Sequence, residues 1–232
     1  MKPCAEIVKA APFPEKKYGI IYADPPWNYG DKRCNGNAES HYSTMRIADI
    51  CALPVNEIAA DNCILFLWTT YPMLRESLQV IDAWGFKYKS IGFQWIKQNR
   101  SGNGFFFGLG RWTRGNTEPC LIAVKGKPQR IGNSVSQLII APVGRHSKKP
   151  DIARDKIIEL IGDLPRIELF ARQTADGWDS WGNDPAVNGP RIDEDFSMWR
   201  AVDGGIVRPE ITYSRSFTFA SLPAFKKHLE NI

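Results

Sequence analysis

Asp24, Pro25, Pro26 and Trp27 stand together directly after a short apolar stretch, residues 18–23. These residue types suit one kind of chemistry. An amino group on an aromatic ring is a poor nucleophile, because its lone pair is delocalised into the ring. A carboxylate oxygen that accepts one N–H, and a backbone carbonyl that accepts the other, favour a pyramidal nitrogen with a localised lone pair. Consecutive prolines stiffen the chain and carry carbonyls without matching N–H groups, so a fixed acceptor can point outward. A tryptophan in fourth position offers a face on which an aromatic base can stack. The same four residues would also make a rigid turn anchored by a core tryptophan, so the decision falls to the rest of the chain.

The elements that must position the tetrapeptide follow from periodicity. Residues 18–23 read as a strand, and in open α/β sheets ligands bind beyond the carboxyl ends of strands, which is where Asp24 falls. A polar loop rich in glycine and asparagine follows over residues 28–42, long enough to imply a functional or disordered segment. Residues 63–68 form a continuous apolar run, as expected of a strand buried on both faces. Leu74, Leu78, Ile81 and Trp84 recur at helical spacing, and Gly85 ends that helix. Residues 87–95, 120–124 and 137–141 read as further strands. Pro150 opens a helix running to Ile161 that Gly162 stops, and residues 166–170 are expected to be the final strand. Strands alternating with helices predict an α/β fold of three layers. Beyond Pro185 the pattern weakens to a single turn signal, Asp203-Gly204-Gly205. The expected organisation is a catalytic domain over residues 1–184 and a C-terminal extension of unassigned role over residues 185–232.

Composition excludes several classes. No apolar run approaches the eighteen or so residues of a membrane span, and residues 1–14 hold three prolines and no hydrophobic signal core. The five cysteines are odd in number and contain no C-x-x-C pair, so neither a disulfide framework nor a zinc ribbon is expected, no metal is expected, and a reducing cytoplasm is the simplest compartment. Neither a P-loop nor a complete dinucleotide glycine motif is present. The net charge of +5 is unevenly spread: residues 97–149 hold ten Lys or Arg and one acid, Glu118, leaving −4 for the remainder. Such a segment is either a solvated basic face or a surface for a polyanion; Phe105, Phe106, Phe107 and Trp112 interleave with its charges and favour nucleic acid.

Further blocks extend the motif. After Tyr22 to Trp27 come His41-Tyr42-Ser43-Thr44-Met45, Leu65-Phe66-Leu67-Trp68, Ala83-Trp84-Gly85-Phe86 and Phe93-Gln94-Trp95-Ile96-Lys97. Then follow Gly115-Asn116-Thr117-Glu118, the run from Cys120 to Gly126, His146-Ser147-Lys148-Lys149-Pro150, Glu168-Leu169-Phe170-Ala171-Arg172, Gly177-Trp178 and Trp181-Gly182-Asn183. In order and spacing, residues 4–184 resemble the adenine-N6 methyltransferases of the Asp-Pro-Pro-Trp type, the family of the catalytic subunit of the eukaryotic messenger-RNA adenosine methyltransferase, with bacterial and phage members.

The resemblance implies a Rossmann-like S-adenosylmethionine-dependent methyltransferase sheet in permuted, beta-class order, with the catalytic motif ahead of the main cofactor-binding strand. It implies Asp24, Pro25, Pro26 and Trp27 as the catalytic set, Asp24 touching both the adenine amine and the cofactor. Glu168 matches an acid that holds the cofactor ribose, Lys125 a lysine near the cofactor carboxylate, Arg172 and Asn183 polar cofactor contacts, and Glu6 and Ile7 an acidic-apolar pair at the cofactor adenine. Glu168 read alone also fits a strand-end carboxylate paired with Arg172. His41 and Tyr42 are expected on a substrate loop. Arg111, Arg114, His146, Lys148 and Lys149 are expected against the nucleic acid, although a solvated helix entrance accounts for the last three as well. Thr174-Ala175 stands where eukaryotic relatives carry His-Asn, and Asp184 replaces a glutamine. The expected reaction is direct transfer of the sulfonium methyl to adenine N6. DNA is favoured over RNA because the chain looks like the compact bacterial and phage members, in the cytoplasm of a bacterial or phage-infected cell. A homodimer or heterodimer, and a non-catalytic partner subunit, are the open alternatives; the latter sort degrade the tetrapeptide, which is complete here.

Overall fold

The computed structural model describes residues 13–29, 44–108, 110, 112–144 and 148–182, together with the backbone of residues 200–202 and 205–207. Its first strand, β1 (Tyr18–Ala23), is buried along its whole length. Two short helices, α1 (Ile47–Cys51) and α2 (Val55–Ile58), lead to β2 (Ala59–Trp68), which pairs parallel with β1. A 3-10 turn over Tyr71–Met73 runs into α3 (Leu74–Ala83), which ends at Gly85 with φ 80°. Next come β3 (Lys87–Gln98), β4 (Thr117–Lys125), β5 (Leu138–Pro142), α4 (Ile152–Ile161), β6 (Arg166–Leu169) and β7 (Asp179–Trp181). Gly162, at φ 94°, stops α4 as the sequence predicts.

Seven strands form one sheet in the order β5-β3-β4-β2-β1-β6-β7. Every neighbouring pair is parallel except those of β4, which runs antiparallel to β2 and β3. The Asp-Pro-Pro-Trp strand comes first in the chain yet lies centrally, and β6 joins it from the far end of the domain. This is the permuted methyltransferase order. β1 connects onward to β2 on one side, whereas β6 connects to β7 on the other. The carboxyl ends of β1 and β6 therefore flank a topological switch point, where open α/β sheets bind ligands.

Both faces of the sheet are covered. Ile50, Val55, Ile58, Val80 and Ile81 from α1–α3, with Trp84 just past α3, pack on Tyr18, Ile21, Leu65 and Leu67. On the opposite face Ala153, Ile157 and Ile161 of α4 pack on Ile20, Tyr22, Phe66, Trp68 and Phe93. Alternate residues of β1 and β2 thus enter different cores, which explains their continuous apolar runs; each such burial contributes about 1.5–3 kcal/mol.

The expected elements are present, with differences. β2 starts four residues earlier than its apolar run. β6 is not the last strand: β7 follows it, too short to show a period. By contact, the chain divides into residues 1–188 and 189–232. In the second unit β8 (Arg200–Val202) and β9 (Gly205–Val207) pair antiparallel on either side of the turn signal read in the sequence. No helix among the described residues is long and apolar enough to cross a membrane.

Candidate active site

The end of β1 delivers Asp24 into a crevice lined by Asp24, Pro25, Trp27, Tyr29, Thr69, Thr70, Glu118, Lys149 and Arg172. The proline pair shapes the turn as follows. The Trp27 N–H donates to the Pro25 carbonyl at 2.9 Å, and the Met45 N–H donates to the Pro26 carbonyl at 2.9 Å. Trp27 is only 4% exposed, and its indole N–H donates to the Trp68 carbonyl at 3.2 Å. The tryptophan is therefore a core anchor as well as a wall of the crevice. Behind it, the Trp68 indole donates to the buried Tyr22 hydroxyl at 2.7 Å.

Four charged side chains alternate in sign across the crevice. Lys149 Nζ donates to Asp24 Oδ2 at 2.8 Å and lies 3.4 Å from Glu118 Oε2; Lys97 Nζ donates to Glu118 Oε1 at 2.7 Å. None of these side chains is more than 21% exposed. Lys149 also lies 5.7 Å from the Trp68 ring centroid, and Lys97 5.1 Å from that of Trp95. Burial disfavours every one of these charges, so the partners decide. Burial pushes the Asp24 carboxyl up; Lys149 opposes this and the Glu118 charge adds to it, leaving Asp24 above its ordinary value. Burial also works on Glu118, but Lys149 and Lys97 together outweigh it and hold Glu118 low. Against burial, Asp24 and Glu118 hold Lys149 above the ordinary lysine value, so it stays protonated.

Glu168, on β6, faces the α4 side of the sheet. Its Oε2 accepts from Arg154 Nη1 at 2.9 Å, and Arg154 Nη2 reaches Asp151 at 2.5 Å. The sequence allowed a pairing with Arg172; the observed partner is Arg154, because α4 packs directly over this strand. Burial pushes Glu168 up to about 7, with Arg154 opposing and the Asp24 charge adding. Ser180, level with Glu168 on β7, carries a buried hydroxyl without a hydrogen-bond partner among the described residues. Just past β6, Phe170 takes φ 61°, a left-handed conformation uncommon for a bulky residue and frequent where a site dictates the backbone. Beside it, Gly182 is held so close that a Cβ would lie 2.4 Å from the Ala171 carbonyl oxygen.

The structure thus brings together Asp24, Pro25, Trp27, Lys149 and Arg172, with Glu168 nearby. It does not bring Lys125 to them. Lys125 ends the antiparallel β4 opposite Cys63, at the other end of the strands from Asp24, and its Nζ donates to the carbonyls of Asn56 at 3.2 Å and Ala59 at 3.5 Å. Lys149 occupies the crevice instead of an outer phosphate-facing surface. Lys148 pairs with Asp151 at 2.7 Å, and Arg114 is exposed on the β3–β4 connection. Glu6, Ile7, His41, Tyr42, Arg111, His146 and Asn183 lie outside the described residues. Sequence reasoning did not assign Glu118, Thr69, Thr70 and Tyr29 to the site. Glu118 left a signal, as the lone acid of the basic segment.

Residues 18–184 match the MT-A70 family model. The chain belongs to the MT-A70 family. It is 38% identical over 189 residues to the Type II methyltransferase M.MunI of a Mycoplasma species, covering 73% of this chain and 78% of that protein. It is 30% identical over 178 residues to the N(6)-adenosine-methyltransferase MT-A70-like protein of Arabidopsis thaliana, and 29% identical over 171 residues to the N(6)-adenosine-methyltransferase catalytic subunit METTL3 of Homo sapiens. Those alignments cover 75% and 72% of this chain but only 24% and 28% of the relatives. Membership brings the reaction class, methyl transfer to adenine N6, and MT-A70 methyltransferases use S-adenosylmethionine. Among the described residues no group of His, Cys, Asp and Glu could hold a metal ion.

Proposed function

We propose that this chain methylates the N6 amino group of adenine in DNA, with its catalytic domain in residues 1–184 and Asp24 as the central catalytic group. The observation that carries the proposal is an ionisable carboxylate, rigidly held by two prolines at the switch point of the sheet and flanked by an alternating set of charges. The choice of DNA rests on the bacterial Type II relative, which the chain matches over most of its length, whereas the adenosine methyltransferases extend far beyond it.

The residues present fit the methyl donor. S-adenosylmethionine offers a sulfonium and an ammonium that need a carboxylate, a carboxylate that needs a cation, and a ribose diol that needs an acceptor. Asp24 meets the first need, Lys149 and Arg172 the second, and Glu168 the third, one of its oxygens being already taken by Arg154. The buried Ser180 hydroxyl beside Glu168, without a partner among the described residues, supplies a further polar contact there. When bound, the cofactor supplies an electrophilic methyl. The chain's own work is to hold the adenine amine. Asp24 accepts one N–H, and the Pro25 carbonyl, which retains a lone pair beside its Trp27 contact, accepts the other. The polarised nitrogen then points its lone pair along the transfer axis, and positioning supplies most of the acceleration.

Incubation with methyl-labelled S-adenosylmethionine and matched adenine-containing DNA and RNA, followed by nucleoside analysis, tests this reading. Label in N6-methyldeoxyadenosine supports it, and Asp24→Ala removes the label without loss of fold. Label in RNA alone replaces DNA as the substrate. Cofactor binding with no transfer to either points to a missing partner subunit, and absence of cofactor binding to a non-catalytic subunit.

A further inference from the structure

The connection between β3 and β4 carries aromatic rings for which the reaction at Asp24 has no use. It is built as a folded-back arm. The Phe106 N–H donates to the Lys97 carbonyl at 2.9 Å, Asn116 Nδ2 donates to the Phe106 carbonyl at 2.8 Å, and Gly108 and Gly115 exchange backbone hydrogen bonds at 3.1 and 3.4 Å. Its tip is tight: a Cβ on Gly110 would lie 1.8 Å from the Thr113 carbonyl oxygen, so the turn that presents Trp112 needs glycine there. A structured arm of this kind normally folds its rings inward. Here Trp112 is 94% exposed, Phe107 69% and Phe105 53%.

Charge says what the rings meet. Residues 98–117 contain three arginines and no acid. The arm is rooted at the site, since Lys97 and Glu118 at its two ends belong to the charge alternation around Asp24. It therefore projects from the rim of the crevice. Exposed rings interleaved with arginines, without acids, are the chemistry of a surface for unstacked bases on a polyanion. A target adenine that reaches Asp24 must leave its stack, which strips its neighbours of a stacking face. We propose that Phe107 and Trp112 supply that face, stacking on the DNA bases that flank the extruded adenine. The inference rests on the proposed nucleic-acid substrate.

The test compares the full chain with Phe107→Ala/Trp112→Ala and with Arg114→Ala, using a labelled mixed-sequence single-stranded DNA and anisotropy over a range of salt. The ring variant is expected to bind on the order of 100-fold more weakly, about tenfold per ring, with an unchanged slope of log Kd against log salt. Arg114→Ala is expected instead to reduce that slope by about 0.7. Equal cofactor affinity in all three proteins reports an intact fold. A ring variant that binds the DNA like wild type overturns the inference. So does sedimentation in which the rings hold a dimer together while DNA affinity is unchanged, because the arm is then a self-association surface. Wild-type protein that neither binds DNA nor transfers methyl to it sinks the proposed function as well; wild-type transfer with an unimpaired ring variant sinks only the arm.

Discussion

Lys149→Met is the sharpest probe of the crevice. Its ammonium donates to Asp24 Oδ2 at 2.8 Å, and it also faces Glu118. At an effective dielectric of about 20, a pair at this distance attracts by about 6 kcal/mol. Relief of the buried ammonium's own desolvation takes back part of that, and removing one member of a buried pair costs about 3–5 kcal/mol net. Much of the cost falls on Asp24, which is left facing Glu118 with like charge. Its protonation is thereby favoured further, in a carboxyl already raised by burial. The sign follows: Asp24 must be ionised to accept an amine N–H, so the variant loses activity as pH falls through the raised value and regains it as pH rises. At neutral pH and saturating substrates, kcat is expected to drop on the order of 100-fold, with the acid limb of the kcat profile moved toward higher pH. Radiolabel transfer between pH 6 and pH 9 measures this. If Lys149 instead serves as a phosphate contact, KM for DNA rises, the salt slope shrinks and the pH profile stays in place; that pattern, or wild-type kcat, would refute the reasoning.

Three further outcomes are expected. The proposed ribose contact needs Glu168 ionised, and burial raises its carboxyl to about 7, so cofactor affinity at pH 6 should be about tenfold weaker than at pH 8 by calorimetry. Glu168→Gln should bind weakly and without that slope; a flat wild-type profile contradicts the assignment. Arg154→Met removes the cation that orients Glu168, so cofactor binding should weaken at pH 7 and recover at higher pH, whereas a purely structural role would leave a pH-independent loss. Gly182→Ala pushes a methyl into the Ala171 carbonyl, for about 1–3 kcal/mol and roughly 2–12 °C in Tm by calorimetry, and an unchanged melting temperature would show the contact to be yielding.

The legible parts of the site were those that local chemistry dictates. Asp24 follows a fully buried strand, and two prolines leave that backbone few conformations, so its place needed no tertiary knowledge. Lys125 and Lys149 show the opposite. Both lie in the basic segment, and only strand direction separates them. Because β4 runs antiparallel, its start brings Glu118 to the crevice and its finish carries Lys125 to the opposite end of the strands. Periodicity reports which residues face a core but is blind to direction. The same blindness hid the pairing of Glu168 with Arg154, which depends on how α4 crosses β6. β7, α1 and α2, at three to five residues, are too short for any period to register.

The alternation of charges in the crevice answers a constraint set by the chemistry. Methyl transfer needs a fixed negative charge beside a cationic donor and a neutral amine. A lone buried carboxylate would not provide it, because desolvation drives it to its neutral form. Lys149 keeps Asp24 ionised, yet an uncompensated ammonium would repel the arriving sulfonium. Glu118 cancels that ammonium, and Lys97 keeps Glu118 ionised in turn. These four charges cancel among themselves, and Arg172 on the same lining adds the cation proposed above for the cofactor carboxylate. The arrangement also accounts for the composition of the basic segment. Two of its ten cations, Lys97 and Lys149, are committed to the site together with its one acid. The surplus that remains to meet a polyanion is carried elsewhere in the segment, the β3–β4 arm included.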